Sequence, residues 1–129
     1  MEQGYLIDTN VIIDNFGNKL PEKAKVFINS LEPVLSAVTK IEVLGWLNAT
    51  KEQLNPLYAF MEIASILPID EAVIEKTIVI RQSKKIALGD AIIAATALVH
   101  DLILISRNVS DFKHIQGLRV VDPYDLSSP

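Results

Sequence analysis

Cysteine is missing from all 129 residues, which excludes disulfides, thiolate zinc sites and thiol catalysis, and leaves the redox compartment open. Positive charge is short too. The 12 Lys and Arg against 16 Asp and Glu leave a net charge of −4. That balance argues against broad, nonspecific nucleic-acid binding through charge alone, though not against a locally basic groove. No apolar run is unbroken enough for a membrane. The longest, Ala87 to Ile105, is interrupted by Asp90, His100 and Asp101, and charges at that depth are costly. It reads as a buried helix followed by a strand. Acidic residues at Glu2 and Asp8 precede any apolar core of a secretory leader, so a cytoplasmic protein is expected. Repeats, linkers and low-complexity tracts are absent as well. The length suits one domain spanning residues 1–129.

What the chain has in abundance is apolar side chains. AVILMFWYC make up 50% of it, rich for so small a soluble chain, so some apolar surface is expected to lie under a second subunit or partner. The hydrophobic pattern predicts strands at 5–8, 34–38, 63–67, 102–106 and 118–121. Helices are predicted at 10–16, from Pro21 to about Leu31, from Thr39 to Asn48, from Asn55-Pro56, from Asp70 to about Lys84 and from Ala91 to His100, with a short helix or turn over 108–115. The 39–48 helix is apolar nearly all round (Ile41, Val43, Leu44, Trp46, Leu47) and should be buried. Strands alternating with helices indicate a three-layer α/β/α sandwich around a mostly parallel sheet.

The stretch Tyr5-Leu6-Ile7-Asp8-Thr9-Asn10 runs a buried strand straight into an acid, a hydroxyl and an amide, the junction at which open α/β sheets gather reacting groups. Any of the three polar residues can cap the next helix, but one cap suffices. Other acids have equally local explanations. Glu42 fits a capping box with Thr39, Asp90 suits the first turn of a helix, and Asp111 pairs with Asn108 in a capping pattern. Taken together they are harder to dismiss. Strand carboxyl ends and the following helix amino ends share one edge of a parallel sheet, so Asp8, Glu42, Asp90 and Asp111 would converge and repel unless a cation neutralised them. Oxygen donors without Cys or His suit Mg²⁺ or Mn²⁺, which can activate water and stabilise a phosphoryl transition state.

Leu6-Ile7-Asp8-Thr9-Asn10, the isolated Glu42, Gly89 to Ala97 (GDAIIAATA) and Ser106 to Phe112 (SRNVSDF) together resemble the motifs of PIN-domain ribonucleases, nearest to the toxin subunits of the VapC type. The resemblance covers nearly the whole chain in the family's order. It implies that Asp8, Glu42, Asp90 and Asp111 form the catalytic acidic cluster, with Asp8, Asp90 and Asp111 as metal ligands. Thr9, Asn10, Ser106 and Asn108 would be supporting or substrate-facing groups. It further implies endonucleolytic hydrolysis of RNA, a homodimer, and a small antitoxin that covers the cleft. Gly89 stands where many members carry proline, which should loosen the start of its helix, and Ser106 stands where threonine is common.

Other polar residues carry weaker signals. Arg81, Lys84 and Lys85 suit a helix C-terminus and, with Lys40, Arg107 and Lys113, could also line a phosphate groove. His100 is more simply a helix-end partner than an acid–base catalyst, and Trp46 and Phe60 more simply core than base-stacking groups. Two other functions compete with the nuclease reading. A phosphoacceptor signalling domain would want adjacent acids after the first strand and a lysine from the last, where this chain has Asp8-Thr9-Asn10 and Arg119. A non-catalytic RNA- or protein-binding relative would be expected to have lost an acid, and all four are present.

Overall fold

The structure is a computed structural model that describes residues 4–125; residues 1–3, Glu2 among them, and 126–129 lie outside it. Five short strands form, all parallel to their partners. β1 (Tyr5–Ile7), β4 (Ile103–Ile105) and β5 (Val120–Val121) make one ladder in the order β1-β4-β5, and β2 (Val34–Ser36) with β3 (Ser65–Leu67) makes a second. β1 packs alongside β2, which brings both ladders into one central layer.

Side-chain alternation along these strands divides the core in two. Leu6 and Leu104 point to one face, where they meet Val73 and Ile80 of α5 (Glu71–Ser83), the buried face of α6 (Leu88–Val99) and Phe112 of α7 (Val109–Phe112). Ile7 and Ile105 point to the other. There they join Val11 and Ile12 of α1 (Thr9–Phe16), Ala24 and Ile28 of α2 (Glu22–Asn29), Val43 of α3 (Ala37–Leu44), and Leu57 and Met61 of α4 (Lys51–Ile63). The result is the expected α/β/α sandwich. Ala91, Ala94, Ala95 and Ala97 are fully buried, and their small side chains let α6 lie close against α5 and β4.

Three helix starts lie two or more residues from the sequence-based expectation. α3 begins at Ala37 rather than Thr39, because the Ser36 hydroxyl at the end of β2 accepts the Val38 amide at 3.2 Å and so forms the cap. α4 begins at Lys51, where Thr50 and Gln53 complete a capping box. Pro56 therefore sits inside that helix, on its exposed side. α6 starts at Leu88, with Gly89 and Asp90 already inside it.

A larger correction concerns α3, which is not buried all round. Thr39 and Val43 face the core, while Ile41 is 65% exposed and the following Trp46 and Leu47 are 41% and 82% exposed. One face of an eight-residue helix is all the sheet can cover; the other apolar face is left for a partner.

Candidate active site

All strands run the same way, so their carboxyl ends open on one edge. The register Leu6↔Leu104, Ile7↔Ile105 places Asp8 beside Ser106, and the Asp8 amide extends the ladder by donating to the Ile105 carbonyl at 2.9 Å. Asp8 caps α1, its Oδ1 accepting the Thr9 amide at 2.8 Å, while its Oδ2 accepts the Ser106 hydroxyl at 2.8 Å. Ser106 is wholly buried and its Oγ also accepts the Asn108 amide at 3.0 Å. One hydroxyl thus ties the loop after β4 to the acid after β1.

Glu42 is brought in from the neighbouring layer. The Thr9 hydroxyl is hydrogen-bonded to both Glu42 Oε1 at 2.6 Å and the Thr39 hydroxyl at 3.1 Å. A hydroxyl has one proton, and the shorter contact to a charged acceptor assigns it to Glu42. The capping-box explanation of Glu42 therefore fails: the cap of α3 is Ser36, and the Glu42 carboxylate turns to Thr9 instead. Gly89 explains how it fits, since a Cβ there would lie 2.7 Å from Glu42 Oε2. The absent side chain is the space the carboxylate occupies.

Asp90 sits half-buried in the first turn of α6, and Asp111 is exposed on α7. Asn108 precedes α7 but makes no side-chain cap bond, so capping does not explain Asp111 either.

Electrostatics shows that these acids sense one another. Burial pushes the Asp8 carboxyl up from 3.8 to about 6, with Asp90 and Glu42 adding to the rise and the Ser106 and Thr9 hydrogen bonds opposing it. Asp90 is raised as well, first by burial, then by Asp111 and Glu42. None of the four is in an ion pair with a cationic side chain among the described residues. They are gathered but not closed up: no three His, Asp or Glu side chains among the described residues stand together as a ready-made metal-binding group.

Asn10 is exposed at the second position of α1. One expectation is redirected. Arg107 is in an ion pair with Asp14 Oδ2 at 3.0 Å and lies 5.3 Å over the Tyr124 ring, so its charge has a structural partner.

Sequence reasoning missed Asp14. It is 7% exposed on the inner side of α1, and its Oδ2 also accepts the Tyr124 hydroxyl at 2.7 Å. This acid, with Arg107 and Tyr124, fastens the loop carrying Ser106 and Asn108 to α1. The signal available was an acid directly after the apolar run Val11-Ile12-Ile13, three residues beyond Val11 and so on the same helix face.

Residues 5–118 match the PIN domain family. Ribonuclease VapC1 of Rickettsia felis is 31% identical over 129 residues, covering 92% of this chain and 95% of that protein. The fold is similar to a toxin–antitoxin complex chain from Klebsiella pneumoniae, with TM-score 0.77 and 35% identity over 94% of this chain and 98% of that one. It is also similar to a chain of the FitAcB structure from Neisseria gonorrhoeae, with TM-score 0.73 and 30% identity over 95% and 99% of the two chains.

Proposed function

The chain belongs to the PIN domain family, and from that premise we propose that it is a metal-dependent endoribonuclease acting as the toxin of a toxin–antitoxin pair. The ribonuclease relative and the toxin–antitoxin complexes among its structural neighbours support the activity and the setting. One observation carries the chemistry: a buried carboxylate, Asp8, is held in a neighbourhood of further carboxylates, none of them in an ion pair with a cationic side chain among the described residues.

That donor set fits a divalent cation in kind and in charge, because it consists of hard oxygens whose mutual repulsion an ion would relieve. Asp8, Asp90 and Asp111 are the ligands in this reading. Bound Mg²⁺ or Mn²⁺ would supply a readily deprotonated water and a counter-charge for the phosphoryl oxygens. Ser106 holds Asp8 in place through its hydroxyl, and Asn108 holds Ser106 through its main-chain N–H. Thr9 turns the Glu42 carboxylate toward the same edge, where it completes the ion site or accepts the proton of the attacking water. Asp90 and Asp111, on the more exposed side, can rotate toward an incoming ion. Single-stranded or loop RNA is the substrate this open edge suits, since its backbone can bend toward the acids.

The exposed apolar residues account for the partners. Ile41, Trp46 and Leu47 around α3, and Ile74, Ile78 and Val79 on α5, leave faces for a second copy of the chain and for an antitoxin. Among the described residues no helix is long and apolar enough to cross a membrane, and cytoplasmic residence fits an RNA substrate. All 129 residues act as one domain in this reading.

Purified protein should cleave single-stranded RNA, lose cleavage in EDTA and regain it with Mg²⁺ or Mn²⁺. Asp90→Asn and Asp111→Asn should each lower the rate by roughly 10²-fold or more, as removal of a group acting on transition-state charge does. Equal cleavage in EDTA, or undiminished cleavage by Asp90→Asn, would overturn the mechanism.

A further inference from the structure

Beside the acids lies a cavity of about 370 Å³ lined by the segment 84–87 together with Asp90, Ser110 and Asp111. We propose that Lys84 and Lys85 bind backbone phosphates of the RNA strand and deliver it to the acidic edge, which makes them the positively charged bank of an otherwise negative cleft. This rests on the ribonuclease reading above.

Lys84 ends α5 in an extended conformation, so the segment 84–87 leaves the helix and runs along the wall of the cavity to α6 and Asp90. Its Nζ donates to the main-chain carbonyl of Asp111 at 3.2 Å. That contact uses one of three ammonium protons and ties the lysine to the element bearing Asp111, leaving two protons for a ligand. Lys85 is exposed and lies beyond the helix. Among the described residues neither lysine is in an ion pair, so their charge is not committed to the fold. The α5 dipole is already met by Arg81 in its last turn.

Uncompensated acids would repel a polyanion, and an approach route needs cations at its rim. The wall supplies two lysines and the Ser110 hydroxyl against Asp90 and Asp111, and among the described residues no aromatic side chain lines it. Phosphate contact without base stacking follows, and with it binding that tolerates any base.

The test is fluorescence anisotropy of a labelled single-stranded RNA on the full chain in EDTA, across a range of NaCl, together with steady-state cleavage in Mn²⁺. Each phosphate contact contributes about 0.7 to the slope of log K against log salt for single strands, so Lys84→Gln/Lys85→Gln should flatten the slope by about 1.4. KM should rise with kcat little changed, and Lys84→Arg/Lys85→Arg should restore both slope and KM. Lys23→Gln/Lys51→Gln removes the same charge from exposed positions on other helices and should leave the slope near that of the unmodified chain. If the two glutamine pairs behave alike, the lysine assignment is wrong while cleavage itself stands. If the unmodified chain neither binds nor cuts RNA, both this inference and the ribonuclease reading fall.

Discussion

Replacing Asp8 by asparagine should stabilise this protein at neutral pH while abolishing its activity. Asp8 is 3% exposed, and its carboxyl is raised from 3.8 to about 6 chiefly by burial. Below pH 3.8 the acid is protonated in both the folded and unfolded chain, and its stabilising effect on the native state is fully present. Between 3.8 and about 6 the unfolded chain gives up the proton and the folded chain keeps it, so stability falls as pH rises. Above that range both forms are ionised and the loss is complete, about 3 kcal/mol for a rise of this size. Asp8→Asn has no such penalty. Asparagine puts an NH2 donor in place of one of the two oxygens that accept the Thr9 amide and the Ser106 hydroxyl, which offsets part of the gain and leaves roughly 1–2 kcal/mol net. Urea denaturation in EDTA at pH 4 and pH 7.5 measures this directly. The variant should be less stable than the unmodified chain by about 1 kcal/mol at pH 4, where the hydrogen-bond loss stands almost alone, and exceed it at pH 7.5, and adding Mn²⁺ at pH 7.5 should stabilise only the chain that keeps Asp8. A stability difference that is the same at both pH values would refute the assignment of a buried, strained charge to Asp8.

Other substitutions probe the supports of the site. Ser106→Ala removes a buried hydroxyl bonded to both Asp8 and Asn108; a loss of about 2 kcal/mol is expected by denaturation, with Asp8 titrating still higher, and Ser106→Thr should recover most of it. Gly89→Ala puts a Cβ 2.7 Å from Glu42 Oε2, too close for the carboxylate to stay where it is. Melting should be unchanged or slightly higher, because alanine favours helix, while cleavage falls. The loss should vanish in a Glu42→Gln background, and persistence there would point to backbone damage instead. Arg107→Ala unpairs Asp14, whose side chain is only 10% exposed. With the arginine itself half-exposed, about 1–2 kcal/mol is expected, between a surface pair and a buried one, and an unchanged melting curve would mean the pair is ornamental.

Much of this site could be read before any coordinates. Asp8, Thr9 and Ser106 follow buried strands, and hydrophobic runs that short between helices have few places to go but a parallel sheet, whose exits share an edge. Asp90 stands in a helix first turn beside a long alanine-rich face, a local pattern that survives intact in α6. These features depend on neighbours within a few residues, where backbone sterics and hydrogen bonding leave little choice. The partners of Glu42 could not be read that way. Its capping explanation was as good locally as the catalytic one, and only the approach of Thr9 from another layer, with room for the carboxylate beside Gly89, removes the capping one. Asp14, Arg107 and Tyr124 lie in three distant segments whose meeting no periodicity encodes. The exposure of Ile41, Trp46 and Leu47 is likewise a matter of how much helix a five-stranded layer can cover. Sequence sets which residues are apolar, charged or able to cap; which of them meet, and which apolar faces remain for a partner, is settled by packing, because contact energies between remote segments exist only once the chain has closed around them.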